Sequence, residues 1–140
     1  MLVDSNILVY AINIDSSKYL RAKKFLEENI QNLQVAHQNI LETLRVLTHK
    51  KFEHPIKIKD AIGAIEGIVK GCTVISPDHR THTVTLQLIE KYNISSNGIF
   101  DAYLIATALC NDINIIATDN VKDLGKFEGI KIINPFKNES

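Results

Sequence analysis

The sequence predicts an α/β fold, a three-layer α/β/α sandwich built around a central parallel sheet. Short apolar runs rich in β-branched residues recur along the chain, and longer segments with helical periodicity separate them. Parallel strands require such crossover segments, because each connection must return to the opposite end of the sheet. The 140 residues are expected to form one domain over residues 1–136, followed by a loose tail at 137–140.

The clearest helix and strand lie within residues 98–120. Residues 99–109 are almost all apolar or small, with Asp101 as their only charge, which predicts a helix buried on most sides. Residues 113–117 form a short β-branched run that is typical of a buried parallel strand, and it ends just before Asp119. A carboxylate therefore marks the start of the helix and another the end of the strand.

The other elements follow from the same periodicities. The predicted strands are residues 1–3, 33–36, 73–75, 113–117 and 130–133. The predicted helices are residues 7–12, 18–29, 38–51, 59–69, 78–92 and 99–109, with a single turn at 121–124. Asp4 or Ser5 offers a cap for the first helix, and the serines at 16 and 17 offer one for the second. Leu20 and Leu86 are apolar positions of amphipathic helices and are expected to face the core, and Leu41 is expected to be one of the apolar neighbours that surround Glu42.

Composition limits the class of protein. Sixteen basic and sixteen acidic residues leave a net charge of zero, so any affinity for nucleic acid must come from local clustering of charge. Cys72 and Cys110 are too far apart for a metal-binding pair, and we expect two buried thiols in a reducing cytoplasm. No apolar run approaches membrane-spanning length, and the carboxylate at position 4 leaves no room for a cleavable signal. We therefore expect a cytoplasmic protein.

Four carboxylates occupy positions that can meet at one end of the predicted sheet. They are Asp4, Glu42, Asp101 and Asp119. Ligands of open α/β sheets bind beyond the carboxyl ends of the strands, and acids gathered there repel one another unless they share a cation. Clustered oxygen ligands suit Mg²⁺ or Mn²⁺, which can activate water for attack on phosphorus and neutralise the developing charge. The residues thus predict phosphodiester hydrolysis.

The same segments resemble PIN domains, and above all the VapC-type ribonuclease toxins of prokaryotic toxin–antitoxin pairs. The similarity is carried by residues 2–6, 39–47, 100–102 and 116–123. It covers nearly the whole chain and weakens between residues 55 and 95. Each fragment is short enough to occur by chance, whereas their joint order and spacing are specific.

This resemblance implies an Mg²⁺- or Mn²⁺-dependent endoribonuclease that acts on RNA. The catalytic, metal-binding acids that it implies are Asp4, Glu42, Asp101 and Asp119. Asn6 and Thr118 are implied to orient these acids through hydrogen bonds. A homodimer and an inhibitory antitoxin protein are implied as well. His37 departs from the family pattern, in which many relatives carry a small hydroxyl residue before the glutamate helix.

Several of these residues also have a purely structural interpretation. Asp4 can cap a helix, and Asp101 can stabilise the N-terminus of its helix through the helix dipole. Glu42 can pair with Arg45 on the helix surface, and Arg45 can instead contact phosphate. Asp123 is expected mainly to form a turn or cap, with a metal-binding role as a secondary possibility.

Basic residues and histidines add weaker signals. A basic rim that faces RNA, or simply solvated surface, is offered by Arg45, His49, Lys50, Lys51, Lys57 and Lys59. The histidines at 37, 49, 54, 79 and 82 show no convincing metal-ligand spacing. Apolar helix surfaces between residues 17 and 69 could form a dimer interface or receive an antitoxin helix.

Two other functions compete with the nuclease. A phosphatase of the haloacid dehalogenase type would use Asp4 as its nucleophile, but Asn6 replaces the second acid of that family and no downstream lysine is evident. A non-catalytic PIN domain that only binds RNA is the other alternative. The presence of all four acids makes it the less favoured one.

Overall fold

The computed structural model describes residues 1–137 and shows a five-stranded parallel sheet. The strands are β1 (Leu2–Val3), β2 (Gln34–Ala36), β3 (Thr73–Ile75), β4 (Ile115–Ala117) and β5 (Lys131–Ile133). They are ordered β3-β2-β1-β4-β5, and every neighbouring pair is parallel. Strand β1 thus lies in the centre, where the sequence predicts a short buried strand.

Seven α-helices connect and cover the strands. They are α1 (Ser5–Ile12), α2 (Tyr19–Asn29), α3 (His37–Thr48), α4 (Ile58–Val69), α5 (Thr81–Lys91), α6 (Gly98–Cys110) and α7 (Val121–Leu124), with a 3₁₀ turn at Ile30–Asn32. Asp4 caps α1, since its side chain accepts a hydrogen bond from the backbone N–H of Ser5. Helix α5 starts later than predicted, because Asp78 instead forms a turn that accepts hydrogen bonds from Arg80 and Thr81.

Alternation along the strands divides the core into two layers, one on each face of the sheet. Leu2 and Ile116 point into the layer that contains Ile105 of α6. Val3 and Ala117, the next residues of the same strands, point into the layer formed with α1, α2 and α4. The predicted α/β/α sandwich is therefore confirmed, as is the burial of α6.

Two leucines predicted to face the core, Leu20 and Leu86, are exposed instead, and so is Leu41, which is predicted to lie in apolar surroundings near Glu42. Leu20 is 76% exposed, Leu41 65% and Leu86 62%. In α5 the buried positions are taken by Thr81 and Thr85, and the Thr85 hydroxyl donates to the Thr81 carbonyl at 2.7 Å. Because each residue turns a helix by about 100°, Leu86 then points away from the core. Leucine content alone therefore misidentifies the inner face.

Three further predictions concern the cysteines, membrane-spanning segments and the C-terminal tail. Both cysteines are free, but Cys72 and Cys110 are only half-buried, so the prediction of buried thiols is wrong. No helix within residues 1–137 is long and apolar enough to cross a membrane. Of the predicted loose tail, residues 138–140 lie outside the described part of the chain, and the domain boundary stays a prediction.

Replacing Ile105 with alanine should test the importance of α6 for stability. Ile105 is fully buried, so Ile105→Ala is expected to lower the free energy of unfolding by about 2–5 kcal/mol. Leu20→Ala is the matched control and should change it by less than about 0.5 kcal/mol, since Leu20 is mostly exposed. Urea unfolding followed by circular dichroism measures both. Equal losses in the two variants would contradict this view of the core.

Candidate active site

The four predicted acids lie on segments that follow the strands or face their carboxyl ends. Asp4 directly follows β1, and Asp119 lies two residues after β4. Glu42 lies in α3, which begins as soon as β2 ends, and Asp101 lies in the first turn of α6. Because the strands are parallel, their carboxyl ends meet at one edge of the sheet. The topology therefore brings distant parts of the sequence to that edge.

Asp4 is the most buried of the four, at 7% exposure, and hydrogen bonds fix both of its oxygens. Its Oδ1 accepts from the Ser5 backbone N–H at 2.8 Å, and its Oδ2 accepts from the Thr118 hydroxyl at 2.8 Å. Asn6 Nδ2 lies 3.4 Å from Asp4 Oδ2 and donates to Thr118 Oγ1 at 3.0 Å. The two residues predicted to orient the acids, Asn6 and Thr118, thus both contact Asp4.

Glu42 is held by two side chains that the sequence analysis did not assign to the site. The Ser5 hydroxyl donates to Glu42 Oε2 at 3.1 Å, and Gln38 Nε2 donates to Glu42 Oε1 at 2.9 Å. Gln38 Nε2 also donates to the backbone carbonyl of Phe100 at 3.0 Å. Ser5 therefore links Glu42 to the Asp4 segment, and Gln38 links it to the residue before Asp101. The one available signal was spacing, since Gln38 precedes Glu42 by one helical turn.

Burial and neighbouring charge shift the pKa of two of these acids. Burial, with the charge of Asp123 next in size and then that of Asp4, raises the pKa of Asp101 to about 6, while Lys126 opposes the shift. Burial also raises the pKa of Asp4. The charge of Glu42 acts on both residues in the same direction. Asp4, Glu42 and Asp101 therefore lie close enough for their charges to act on one another.

Asp119 has a different environment from the other three acids. Its Oδ2 accepts from the Tyr10 hydroxyl and from Lys18 Nζ, each at 2.9 Å. The charge of Asp119 still contributes to the raised pKa of Asp4, so it lies beside the cluster. Asp123 is the secondary candidate of the sequence analysis. Among the neighbouring charges, that of Asp123 raises the pKa of Asp101 most. A metal-binding role for Asp119 stays a prediction, and it would require the carboxylate to turn away from Lys18 and Tyr10.

A groove of about 830 Å³ opens next to Glu42 and Asp101. It is lined on the α3 side by His37, Gln38, Leu41 and Arg45, and on the α6 side by Phe100 and Tyr103. Leu41 and Phe100 are 65% and 61% exposed, so the groove offers apolar surface beside the acids. Of the predicted basic rim, Arg45 lines this groove.

The donor set suits a divalent cation that keeps part of its water shell. Within residues 1–137, no three Asp, Glu, His or Cys side chains are close enough to surround an ion by themselves. Mg²⁺ does not require this, because it commonly binds one or two carboxylates and completes its shell with water and phosphate oxygens. Two buried amide oxygens in the same network, Asn6 Oδ1 and Gln38 Oε1, have no hydrogen-bond partner among the described residues. These two unsatisfied acceptors, together with the acids, are oxygen donors of the kind that a hydrated divalent ion prefers, so the residues fit such an ion.

The raised pKa of Asp101 should make stability depend on pH when metal is removed. Its pKa of about 6 lies above the ordinary value of 3.8, so protonation favours the folded state. That stabilisation is complete below pH 3.8 and is lost as the pH rises through about 6. In chelator, the melting temperature of Asp101→Asn minus that of wild type should therefore increase as the pH is raised from 5 to 7.5. If the difference in melting temperature between the two proteins stays constant across this range, Asp101 does not titrate there and the prediction is wrong.

Comparison with known proteins identifies the family of this chain. The model of the PIN domain family matches residues 1–126. Ribonuclease VapC37 of Mycobacterium tuberculosis is 24% identical over 136 residues, which cover 93% of each chain. Ribonuclease VapC43 of the same species is 26% identical over 125 residues, which cover 85% of each chain.

Solved structures with low sequence identity share the fold. A DNA-bound VapBC from Salmonella typhimurium superposes with a TM-score of 0.72 and 13% identity over 96% of each chain. VapC20 of M. tuberculosis, described as a toxin that cleaves the sarcin–ricin loop, gives a TM-score of 0.69 and 13% identity over 92% of this chain and 97% of its own. The resemblance on which the sequence analysis relied is thus confirmed, and the chain belongs to the PIN domain family.

Proposed function

We propose that this PIN-domain protein is a metal-dependent endoribonuclease and the toxin of a type II toxin–antitoxin pair. The observation that carries the proposal is the grouping of Asp4, Glu42 and Asp101 at the carboxyl edge of the parallel sheet. Family membership supports it, and so do the curated relatives that are named ribonucleases. RNA is the proposed substrate, with a phosphodiester bond placed in the groove beside these acids.

One or two of the three carboxylates Asp4, Glu42 and Asp101 would hold Mg²⁺ or Mn²⁺, and water and phosphate oxygens would complete the shell of the ion. The negative charge of Asp123 acts on Asp101, and that of Asp119 acts on Asp4. When bound, such an ion supplies activation of water and neutralisation of charge on the phosphate. It would also oppose the effects of burial and of neighbouring negative charge that raise the pKa values of Asp4 and Asp101.

The chain's own side chains prepare the acids for this task. Hydrogen bonds from Thr118 and Ser5 lower the pKa of Asp4 and so offset part of the effect of its burial. Gln38 holds Glu42 and the backbone before Asp101 at once, so it fixes the distance between α3 and α6. Arg45 lies in the same groove, where its guanidinium can contact RNA phosphate. The site is therefore ordered before substrate arrives.

An antitoxin protein is the proposed partner, because the structural neighbours include VapBC complexes. We also propose a cytoplasmic location and a homodimer, as the sequence resemblance implies. The exposed Leu41 and Phe100 give the groove an apolar surface that a peptide segment of the antitoxin could cover. Purification together with the protein encoded by the neighbouring gene, followed by light scattering, tests both assemblies.

The geometry does not favour the phosphatase alternative. In that mechanism the residue two positions after the nucleophile is an acid, whereas Asn6 donates its amide hydrogens to Asp4 and Thr118. An amide cannot serve as the general acid or base of such a reaction. The cleavage experiment described next distinguishes the nuclease from the non-catalytic RNA-binding alternative.

Cleavage of RNA should require both a divalent cation and Asp101. Purified protein incubated with cellular RNA should produce fragments with Mg²⁺ or Mn²⁺ and none with chelator. Asp101→Asn is expected to lower the cleavage rate by about 100-fold or more, because it removes one of the carboxylates proposed to hold the divalent cation. Sequencing of the fragment ends would then identify the target.

Glu66→Gln is the control for this experiment, since Glu66 is an exposed acid of α4 that does not line the groove. It should cleave as wild type does. Cleavage that persists in chelator, or an Asp101→Asn variant as active as Glu66→Gln, would contradict the proposed function. Binding of RNA without any cleavage would support the non-catalytic alternative.

A further inference from the structure

Lys18 is fixed beside the acidic site by groups from three separate parts of the chain. Its Nζ lies 2.9 Å from Asp119 Oδ2. It also lies over two aromatic rings, 4.8 Å from the centroid of Tyr10 and 5.0 Å from that of Phe136. Tyr10 and Phe136 contact each other edge to face at 5.4 Å. The ammonium group thus sits in a small aromatic cage that is closed on one side by a carboxylate.

This arrangement differs from an ordinary ion pair on a protein surface. Exposed pairs gain little, because solvent screens the charges and two flexible side chains must be ordered. Here the Tyr10 hydroxyl donates to the same Asp119 oxygen that Lys18 contacts, and the rings hold the lysine by cation–π attraction. The hydrogen bond to Asp119 also raises the pKa of Lys18, so the amine stays charged. The position of the positive charge is therefore well defined.

The held cation can still accept a ligand. A lysine ammonium has three N–H donors, and the Lys18 side chain keeps 36% of its surface exposed. Asp119 follows β4 by two residues and acts electrostatically on Asp4, so the lysine lies at the border of the acid cluster. RNA that enters the site brings phosphates on both sides of the scissile bond, and acids alone would repel them. A fixed positive charge at this border can bind one of those phosphates.

We propose that Lys18 binds an RNA phosphate next to the cleavage site, and that Asp119 acts mainly as the positioning residue that holds Lys18. The inference rests on the proposed function, because it takes RNA as the ligand. Asp119 then belongs to the phosphate contact, and the divalent metal ion is held by the other acids. The Lys18 side chain is 36% exposed, so a backbone phosphate of single-stranded RNA can reach it.

The salt dependence of RNA binding tests the phosphate contact. The parent is Asp101→Asn, whose cleavage is impaired, and the probe is a fluorescein-labelled single-stranded RNA measured by anisotropy in Mg²⁺ at several salt concentrations. Adding Lys18→Gln should weaken binding and reduce the slope of log K against log salt by about 0.7, the value for one phosphate contact on a single strand. Lys18→Arg should keep the slope of the parent.

Lys23→Gln is the matched control. Lys23 is an exposed lysine of the same helix region, and its Nζ also lies over an aromatic ring, 5.8 Å from the centroid of Tyr19. Lys23→Gln should leave the slope of log K against log salt unchanged. Equal slopes for Lys18→Gln and Lys23→Gln would overturn the phosphate contact while leaving the nuclease proposal intact. If the parent binds no RNA at all, the proposed function fails and this inference fails with it.

Calorimetric titration with Mn²⁺ tests the role assigned to Asp119 without reference to activity. Asp119→Asn in the otherwise wild-type chain should bind Mn²⁺ within about twofold of wild type, whereas Asp4→Asn should bind it at least about tenfold more weakly. A loss of Mn²⁺ affinity in Asp119→Asn as large as that in Asp4→Asn would overturn the positioning role. Thermal melting of each variant confirms that it is folded under the titration conditions.

Discussion

Repulsion among carboxylates at one edge of the sheet is the constraint on which this structure depends. Asp4, Glu42 and Asp101 are neighbours, and Asp123 acts on Asp101 as a further negative charge. A folded protein can tolerate such a group only if donors, helix dipoles or cations compensate for it. Each feature of the site can be understood as a partial compensation.

Part of this compensation is built into the backbone. Asp4 caps α1 and Asp101 lies in the first turn of α6, so both carboxylates face the positive end of a helix dipole. Thr118 uses its single hydroxyl donor on Asp4 and accepts from Asn6 and from the backbone N–H of Asn120. These bonds orient Asp4, yet its pKa remains raised. A divalent cation would complete the compensation, and this links the electrostatics to the proposed hydrolysis.

The fold supplies the rigidity that such a site needs. Strand β1 is central in the sheet and pairs with β2 and β4, whose carboxyl ends lead to Glu42 and Asp119. Helix α6 packs between the sheet and α5, with Ile105 and Ala108 fully buried. Because α6 cannot move without opening this core, Asp101 is held against the strands' carboxyl ends.

Local pattern predicted the elements well, and long-range contacts poorly. The strand at 73–75 and the turn at 121–124 match their predicted bounds, because β-branched content and turn residues are local signals. The site acids follow from strand ends in the same way. The Lys18–Asp119 pair joins residues 101 positions apart, and no periodicity indicates it. The exposure of Leu41 depends likewise on which face of α3 the other helices cover.

The most direct test of this account is the titration of the Asp101 carboxyl carbon by ¹³C NMR, with and without Mg²⁺. In chelator its pKa should be about 6, because burial and the neighbouring acids oppose ionisation. Saturating Mg²⁺ should move it well below that value, since the cation favours the charged form. A pKa near the ordinary 3.8 in chelator, or one that Mg²⁺ leaves unchanged, would contradict the account.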